Sequence, residues 1–420
     1  MTTAAPRGLG LAQASALYIA AVLGTGILAL PGLAAAAAGP ASILAVVAVL
    51  VLSVPLAGSF AVLASRFPDS GGVATYVRLA LGDTAARIAG YLFYFGVIIG
   101  APAIGIVAGR YFSAMLGGGQ TTAIVVALVV LALPFLFNLG GLRVSGPVQL
   151  VLTALLVVVV LLVVGLAIPA AEPGNFEPFL PQGWAGVGVA VSLMMWAVSG
   201  WEAVTHLAGE FRNPRRTIPL ATAIAIVFVG AGYLALQAAT IAVLGAEAGE
   251  SEVPLLALVG RTAPGVGPLI VAGIALIVCL GVLNTYGGAF AKLGASLGRD
   301  GDLPRALAVG AESGGVPRRS LLVVAIVQAV YLGVAALNGF QLEPLILIHT
   351  ACMVAIYALG MIAALRLLER FSLGWWFSAI SLVLIAGMLI LAGPSLIVAA
   401  GLALVAVTVG LIKRRKRNHG

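Results

Sequence analysis

Charged residues divide the chain into long uncharged intervals that are rich in apolar residues. A helix needs ~20 mainly apolar residues to cross the hydrocarbon core of a bilayer. Ten intervals without Asp, Glu, Lys or Arg reach that length: 8–65, 88–109, 111–142, 144–171, 178–201, 217–246, 262–291, 320–342, 344–365 and 371–412. The first and the last are long enough for two spans, and each has a central break, at Gly39-Pro40 and at Gly393-Pro394. The pattern therefore predicts an all-α polytopic membrane protein with about 12 transmembrane helices.

The composition agrees with this pattern. Of the 420 residues, 62% are hydrophobic and 9% are charged, against roughly 25% charged residues in soluble domains. A soluble globular protein is therefore excluded. Cys279 and Cys352 both lie inside apolar intervals, so we interpret them as small core residues and predict neither a disulfide framework nor a metal site. No cofactor is predicted.

The positions of the basic residues predict the orientation in the membrane. Lys and Arg in short loops stay on the cytoplasmic side. If Arg7 is cytoplasmic, then of the 22 basic residues only Arg110 and Arg261 fall elsewhere. Both termini are therefore predicted to be cytoplasmic. The basic run at 413–417 directly follows the last span, so we interpret it as a topology anchor and not as a contact for nucleic acid.

Glycine interrupts two of the predicted spans near the middle of the membrane. Span 1 is centred near Thr25, in the sequence Gly24-Thr25-Gly26-Ile27, and span 6 is centred on Val198-Ser199-Gly200-Trp201-Glu202. Irregular backbone in a bilayer is tolerated where it is buried or lines a cavity. Paired interruptions of this kind indicate the binding site of a transporter. The alternative is that these glycines serve close packing between helices.

The spacing of the interrupted spans also predicts how the single transmembrane domain is organised. They are five spans apart, and a repeat with an odd number of spans inverts its second copy. We therefore expect an inverted 5+5 repeat with discontinuous helices 1 and 6. The predicted segments are 1–168 and 169–368 for the repeats, 369–412 for helices 11 and 12, and 413–420 for a basic cytoplasmic tail.

Four local motifs resemble those of the amino acid/polyamine/organocation (APC) superfamily of transporters. They are Leu23-Gly24-Thr25-Gly26-Ile27, Phe67-Pro68-Asp69-Ser70-Gly71-Gly72, Trp196 to Glu202 followed by Glu210-Phe211-Arg212-Asn213-Pro214, and Ser296-Leu297-Gly298-Arg299-Asp300-Gly301-Asp302. Within the superfamily, the chain is most similar to bacterial exporters of methionine and branched-chain amino acids. The resemblance implies a protein of the bacterial cell (inner) membrane in which helices 1 and 6 are discontinuous.

A broken helix can bind an amino-acid zwitterion without charged side chains. The N-terminus of a half-helix offers free N–H groups to a carboxylate, and the C-terminus of a half-helix offers free carbonyls to an ammonium group. We expect the N–H groups of Gly24-Thr25-Gly26 and the Thr25 hydroxyl to bind the carboxylate, and carbonyls around Val22, Trp196 and Ser199 to receive the ammonium. The resemblance implies that Trp196 closes over the substrate. The predicted substrate-binding residues are Val22, Gly24, Thr25, Gly26, Ile27, Trp196, Ser199 and Gly200.

The distribution of acids favours a neutral, apolar substrate. The intervals of spans 1, 3, 8 and 10 contain no Asp or Glu, so a cationic side chain would find no direct ion partner there. An arginine- or polyamine-type antiporter of the same fold stays open as the alternative, because aromatic faces and carbonyls also hold cations. Tyr94 and Tyr286 are candidates to line a larger pocket.

Glu202 is the acidic residue placed well inside a span. An ionised carboxylate at that depth costs about 2.5 to 3.5 kcal/mol on insertion scales, which suggests a function. His206 lies four residues further on, on the same helical face, so a carboxylate and an imidazole in contact could pass a proton. We therefore predict that Glu202 and His206 couple transport to a proton; the alternatives are a hydrogen bond from Glu202 to the broken backbone of span 1 and packing roles for His206 and His349.

Three rival functions are weaker. Sodium coupling would need adjacent hydroxyls on span 8, where Thr285 is one candidate and Gly287-Gly288 follow Tyr286. An intramembrane enzyme would need paired acids, a metal cluster or a Ser/His pair, and the sequence does not supply them. A channel would show repeated filter loops or charged rings. The sequence thus predicts a secondary transporter and not an enzyme, with an amino acid, a proton and the lipid bilayer as its partners.

Overall fold

The computed structural model of the protein describes residues 8–251, 253–265 and 267–418. Arg7, from which the predicted orientation starts, and the last two residues of the predicted tail lie outside these ranges. The α-helices are α1 (Leu11–Leu23), α2 (Gly26–Ala38), α3 (Ser42–Arg66), α4 (Val73–Leu81), α5 (Asp83–Tyr91), α6 (Gly100–Leu116), α7 (Gln120–Leu139), α8 (Leu142–Ala167), α9 (Gly183–Met194), α10 (Pro214–Leu244), α11 (Pro254–Thr262), α12 (Gly267–Arg299), α13 (Arg318–Leu337), α14 (Leu342–Leu367), α15 (Leu373–Ala392) and α16 (Leu396–Asn418).

Ten helical stretches of the described chain are long and apolar enough to cross a membrane. The first, Leu11–Arg66, and the last, Leu373–Lys413, each hold two spans, which are separated by 3-10 turns at Gly39–Ala41 and Gly393–Ser395. Gly39 and Gly393 adopt φ values of +58° and +49°, a region that favours glycine. Both predicted breaks are therefore confirmed, and the all-α polytopic fold with them.

The helices of the structure correspond to the predicted spans, and the same span numbers are used for them. Span 1 is α1 with α2, and span 3 runs from α5 to α6 through a π-helical turn at Leu92–Gly96 and a 3-10 turn at Val97–Ile99. Span 6 begins with α9. Spans 2, 4, 5 and 7 are α3, α7, α8 and α10, and spans 8 to 12 are α12 to α16. The short helices α4 and α11 connect spans.

Burial separates the centre of the bundle from its periphery. The most apolar window of span 3 is 94% buried, whereas that of the stretch holding spans 11 and 12 is 17% buried. Spans 6 and 8 are also mostly buried, at 72% each. The interrupted spans therefore lie in the protein interior, where other helices can satisfy their backbone groups.

A short backbone bridge joins the start of span 1 to the end of span 6. Leu9 and Phe211 form an isolated parallel β-bridge. The Leu9 N–H donates to the Glu210 carbonyl at 2.9 Å, and the Arg212 N–H donates to the Leu9 carbonyl at 3.1 Å. The two interrupted spans are thus tied together at one end.

Candidate functional site

The break in span 1 depends on one glycine. α1 ends at Leu23 and α2 begins at Gly26. Gly24, between them, has φ +22°, and a Cβ at this position would lie 2.6 Å from a methyl carbon of Val282. A larger residue would therefore meet both an unfavourable backbone conformation and a steric clash. The predicted interruption at Gly24-Thr25-Gly26 is confirmed.

Span 6 is interrupted over a longer stretch. α9 ends at Met194, a 3-10 turn follows at Met195–Val198, and a 3-10 helix occupies Ala203–Glu210. Gly200, between the two turns, has φ +135°, and a Cβ on it would lie 2.7 Å from the Ala21 carbonyl oxygen. The break is therefore confirmed where the sequence predicted it, and it lies directly against α1.

A cavity lies between the two breaks. It is lined by Val22, Gly24, Thr25, Gly26, Trp196 and Ser199, which are six of the eight residues predicted to bind substrate. The other two, Ile27 and Gly200, lie beside it in the protein core. The remaining walls come from spans 3, 8 and 10 and include Tyr286 and His349.

The lining of the cavity is mostly apolar. Ala101 and Ile104 of span 3 and Val282, Leu283 and Phe290 of span 8 form its larger faces. No Asp, Glu, Lys or Arg is among the described residues that line it. The cavity volume is about 30 Å³, which is room for about two water molecules. An amino acid can therefore enter only if the walls move apart.

The N-terminus of α2 offers hydrogen-bond donors to this cavity. No side chain caps the helix, and its N-cap residue is Thr25. The first N–H groups of a helix have no intrahelical acceptor and carry positive dipole character. Thr25 is 4% exposed, so these groups are shielded from bulk water. The arrangement suits a carboxylate.

The carbonyls at the end of α1, which were expected to bind the ammonium group, already have protein partners. The Tyr233 hydroxyl of span 7 contacts the carbonyl oxygens of Val22 at 3.1 Å and Leu23 at 2.9 Å. The Trp196 carbonyl accepts the Ser199 N–H at 3.2 Å. Each carbonyl oxygen has a second lone pair, so an ammonium group can only share these acceptors. Tyr233 is a functional candidate that sequence reasoning missed.

Trp196 lines two cavities. Besides the first cavity, its side chain lines a smaller one that Leu342 and Ile346 of α14 also line. Its ring packs on the imidazole of His349, with the ring centroids 4.4 Å apart. The position suits a side chain that gates a path. His349 packs on Trp196, as the alternative for it supposed, and it also lines the cavity.

Glu202 lies behind the cavity wall and is fully buried. Its carboxylate accepts hydrogen bonds from the Gly200 N–H at 3.1 Å, from the Tyr286 hydroxyl at 3.3 Å and from the Tyr357 hydroxyl. The alternative partner considered for it, the backbone of span 1, is thus replaced by groups of spans 6, 8 and 10. Since Tyr286 lines the cavity, one hydroxyl separates the carboxylate from the substrate space.

The predicted contact between Glu202 and His206 is wrong. It assumed an α-helix, but residues 203–210 form a 3-10 helix, in which positions four apart differ by about 120° because each turn has about three residues. The His206 ring instead packs on Phe93, with centroids 4.7 Å apart, and its Nδ1 lies 3.3 Å from the Ser70 carbonyl oxygen. The two groups do not form a proton-transfer pair in this structure.

Two further candidates have other partners. The Thr285 hydroxyl, considered for a sodium site, donates to the amide oxygen of Gln149 at 3.0 Å. Gln149 in turn donates to Thr153, whose hydroxyl donates to the Ala16 carbonyl at 3.0 Å. A neutral side-chain network therefore links spans 8, 5 and 1. Tyr94 is not part of the cavity lining; its hydroxyl lies 3.4 Å from Ser320.

The motifs after spans 2 and 8 meet in a set of charged contacts. Asp69 accepts hydrogen bonds from the Gly71 N–H and the Thr75 hydroxyl, both at 2.8 Å, and from Arg299 at 3.1 Å. Burial raises the pKa of Asp69, but these three donors outweigh it and leave the pKa below its usual value. Asp302 pairs with Arg87 at 2.7 Å and with Arg78. These ion pairs hold the two loops together.

The chain is similar to known amino acid permeases and to an amino acid exporter. The family model described as amino acid permease matches residues 9–412. The chain is 31% identical over 374 residues to the L-methionine/branched-chain amino acid exporter YjeH of Escherichia coli, covering 86% of each protein. It is 29% identical over 391 residues to the uncharacterized amino acid permease YecA of Bacillus subtilis, covering 93% of this chain and 92% of YecA. A shorter match, 31% over 232 residues, relates 51% of the chain to 50% of the branched-chain amino acid permease BcaP of Bacillus subtilis.

Proposed function

The chain belongs to the amino acid permease family, and we propose that it is a secondary transporter of neutral L-amino acids with apolar side chains, such as methionine, leucine, isoleucine and valine. The observation that carries the proposal is the cavity between the two helix breaks, which combines an uncapped helix N-terminus with apolar walls. It offers groups for a zwitterion, and no acidic or basic residue among the described residues that line it would pair with a charged substrate side chain.

The proposed binding mode follows from this chemistry. The carboxylate lies at the N-terminus of α2, near the Thr25 hydroxyl and the Gly26 N–H. The ammonium shares the Val22 carbonyl with the Tyr233 hydroxyl and binds the Ser199 carbonyl. The substrate side chain then packs against apolar residues of spans 3 and 8, such as Ile104 and Leu283. The name of the relative YjeH, an exporter of methionine and branched-chain amino acids, agrees with this substrate class.

The proposed coupling ion is a proton, and its carrier is Glu202. The buried carboxyl group of Glu202 can find hydrogen-bond partners in either protonation state, because the Tyr286 and Tyr357 hydroxyls can donate to the carboxylate or accept from the carboxylic acid. The hydrogen bond to Tyr286 places it one group away from the substrate. A protonatable group at this position would couple export of an amino acid to the inward movement of protons.

The proposed orientation and repeat organisation follow the sequence. Both termini are assigned to the cytoplasm of a bacterial cell, and residues 1–168 and 169–368 are assigned to two inverted repeats. The matching interruptions in the first span of each segment support the division. Transport then takes place by alternating access, in which the paired loops that carry Asp69 and Arg299 close one side.

Counterflow in liposomes tests the proposed substrate class. The purified full-length protein is reconstituted, the liposomes are loaded with unlabelled methionine, and uptake of labelled methionine is measured with competitors outside. We expect saturable uptake that leucine, isoleucine and valine inhibit strongly and that arginine and putrescine do not. Liposomes that contain the Gly26→Val protein give the background. Inhibition by arginine or putrescine alone would reject the proposal in favour of the antiporter alternative, and uptake without saturation would indicate a channel.

A further inference from the structure

One polar group in the cavity is not used by the binding mode described above. His349 lies in α14 with its side chain 4% exposed, and its ring forms part of the cavity wall. The ring is held from two sides, by the packing on Trp196 and by a contact of 2.8 Å between Nδ1 and the Val97 carbonyl oxygen. Its orientation is therefore fixed.

The contact with Val97 determines where the ring carries its hydrogen. A carbonyl oxygen only accepts hydrogen bonds, so Nδ1 must be the donor. In the neutral imidazole, Nε2 then has a lone pair and acts as an acceptor. Nε2 is buried and has no hydrogen-bond partner within the described part of the chain. The cavity thus contains an acceptor without a donor.

A buried polar atom without a partner is unfavourable, and native proteins rarely leave one unless a ligand or water fills the position. The cavity that His349 lines has room for about two water molecules. The substrates proposed above have a single group that can donate hydrogen bonds, the ammonium, because their side chains are apolar. We propose that Nε2 of His349 accepts a hydrogen bond from the substrate's ammonium group. The inference rests on the proposed function and adds a third acceptor to the carbonyls of Val22 and Ser199.

His206 provides a comparison within the molecule. Its Nε2 is also buried without a partner, and its Nδ1 also lies near a carbonyl oxygen, that of Ser70. However, His206 is not among the residues that line the cavity. Both histidines therefore have an unpartnered Nε2, and His349 differs from His206 because it lines the cavity. Among the lining residues, Tyr286 is the other titratable side chain, and its hydroxyl is engaged with Glu202.

Two substitutions separate the two nitrogens of the ring. The amide of His349→Asn can still donate to the Val97 carbonyl but does not reach the position of Nε2, whereas the longer side chain of His349→Gln places an amide oxygen near it. We expect His349→Asn to weaken methionine binding about tenfold or more, and His349→Gln to stay within about threefold of the wild type. His349→Leu, which removes both contacts, should weaken binding at least as much as His349→Asn. Cys352→Ala, one turn further along α14 and outside the cavity, should leave binding unchanged.

The ligand series identifies the group that is recognised. Affinities of the purified full-length protein are measured from ligand-dependent shifts in thermal unfolding, with methionine and with 4-(methylthio)butanoate, which lacks the amino group. If His349 binds the ammonium, the loss caused by His349→Asn or His349→Leu occurs with methionine and is absent with the deaminated analogue. An equal loss with both ligands, or no loss with methionine, would overturn the inference while the proposed function stands. Wild-type protein that binds arginine or putrescine but no apolar amino acid would overturn both.

Discussion

The two interrupted spans differ in what occupies their free backbone groups. In span 1 the α-helix resumes at Gly26, and no side chain caps it. In span 6 the chain continues as a 3-10 helix, the Gly200 N–H donates to Glu202 at 3.1 Å, and the Val198 carbonyl accepts the Tyr357 hydroxyl at 3.1 Å. One break thus leaves its donors open to a ligand, whereas the other is satisfied by side chains of the protein.

The difference teaches that similar glycine patterns at similar depth serve different purposes. An uncapped helix end has groups to spare for a carboxylate. A break that is already hydrogen-bonded can instead hold a carboxylate side chain of the protein in place, as the groups around Glu202 do. We infer that the break in span 1 supplies the donors for the substrate carboxylate and that the break in span 6 holds the coupling group, and the following substitutions test each half of that division.

The largest effect is expected from Gly26→Val. A Cβ at Gly26 would collide with the hydroxyl of Tyr233, and a β-branched side chain has little freedom to avoid it. The open N–H groups would be displaced, so we expect methionine affinity to fall by about 100-fold or more while the protein stays folded and monodisperse. Gly273→Val is the matched control, since a Cβ there meets nothing within 4 Å. Normal affinity in Gly26→Val would show that this break serves packing.

An intermediate effect is expected from Glu202→Gln, which keeps the shape of the side chain and removes its titration. Net flux through the wild-type protein should depend on pH between about 5 and 8, and the variant should lose that dependence while it still exchanges substrate. Glu247→Gln is the control, because Glu247 is exposed and pairs with Arg261 at 2.5 Å. A pH profile like that of the wild type in Glu202→Gln would reject the coupling role and direct attention to His206.

The smallest effect is expected from Asp69→Asn, which removes a competing titratable group outside both breaks. Because the pKa of Asp69 in the folded protein lies below its usual value, the stabilisation it provides is complete above the unfolded-state pKa of 3.8 and is lost as the pH falls through the lower folded value. The flux profile between about pH 5 and 8 should therefore not change. The free energy of unfolding should fall by less than ~1 kcal/mol, since the ion pair is partly exposed.

Thermal unfolding and the flux assay check this third expectation together. The difference in melting temperature between the wild type and Asp69→Asn should be constant at neutral pH and shrink only in acid. If the flux profile of Asp69→Asn shifts near neutrality, the pH dependence cannot be assigned to span 6 alone, and the comparison between the two breaks loses its second half.

The sequence predicted features that depend on neighbours along the chain. The breaks at Gly24 and Gly200 follow from glycine placed at the depth of the midplane, and the span boundaries follow from the absence of charge. Both signals are local. The same reasoning failed for the relative placement of Glu202 and His206, because it assumed α-helical spacing where residues 203–210 form a 3-10 helix.

Partners from distant spans could not be predicted in this way. Tyr233 reaches the end of α1 from span 7, and Tyr357 reaches Glu202 from span 10, across separations of about 210 and 155 residues. Which face each of these helices turns inward is decided by packing over its whole length. The sequence analysis names His349 as a packing residue, and only the structure places its ring in the cavity wall.

The backbone bridge between Leu9 and Phe211 connects the two interrupted spans so that they can move as one unit. Its two hydrogen bonds, from Leu9 to Glu210 and from Arg212 to Leu9, splice the beginning of α1 to the end of span 6. A tilt of either half-helix must carry the other with it. Since the connected segments lead to both breaks, a single rotation would change the donors at Gly26 and the surroundings of Glu202 together. Release of the proposed substrate and of the proposed proton would then be coupled by one movement.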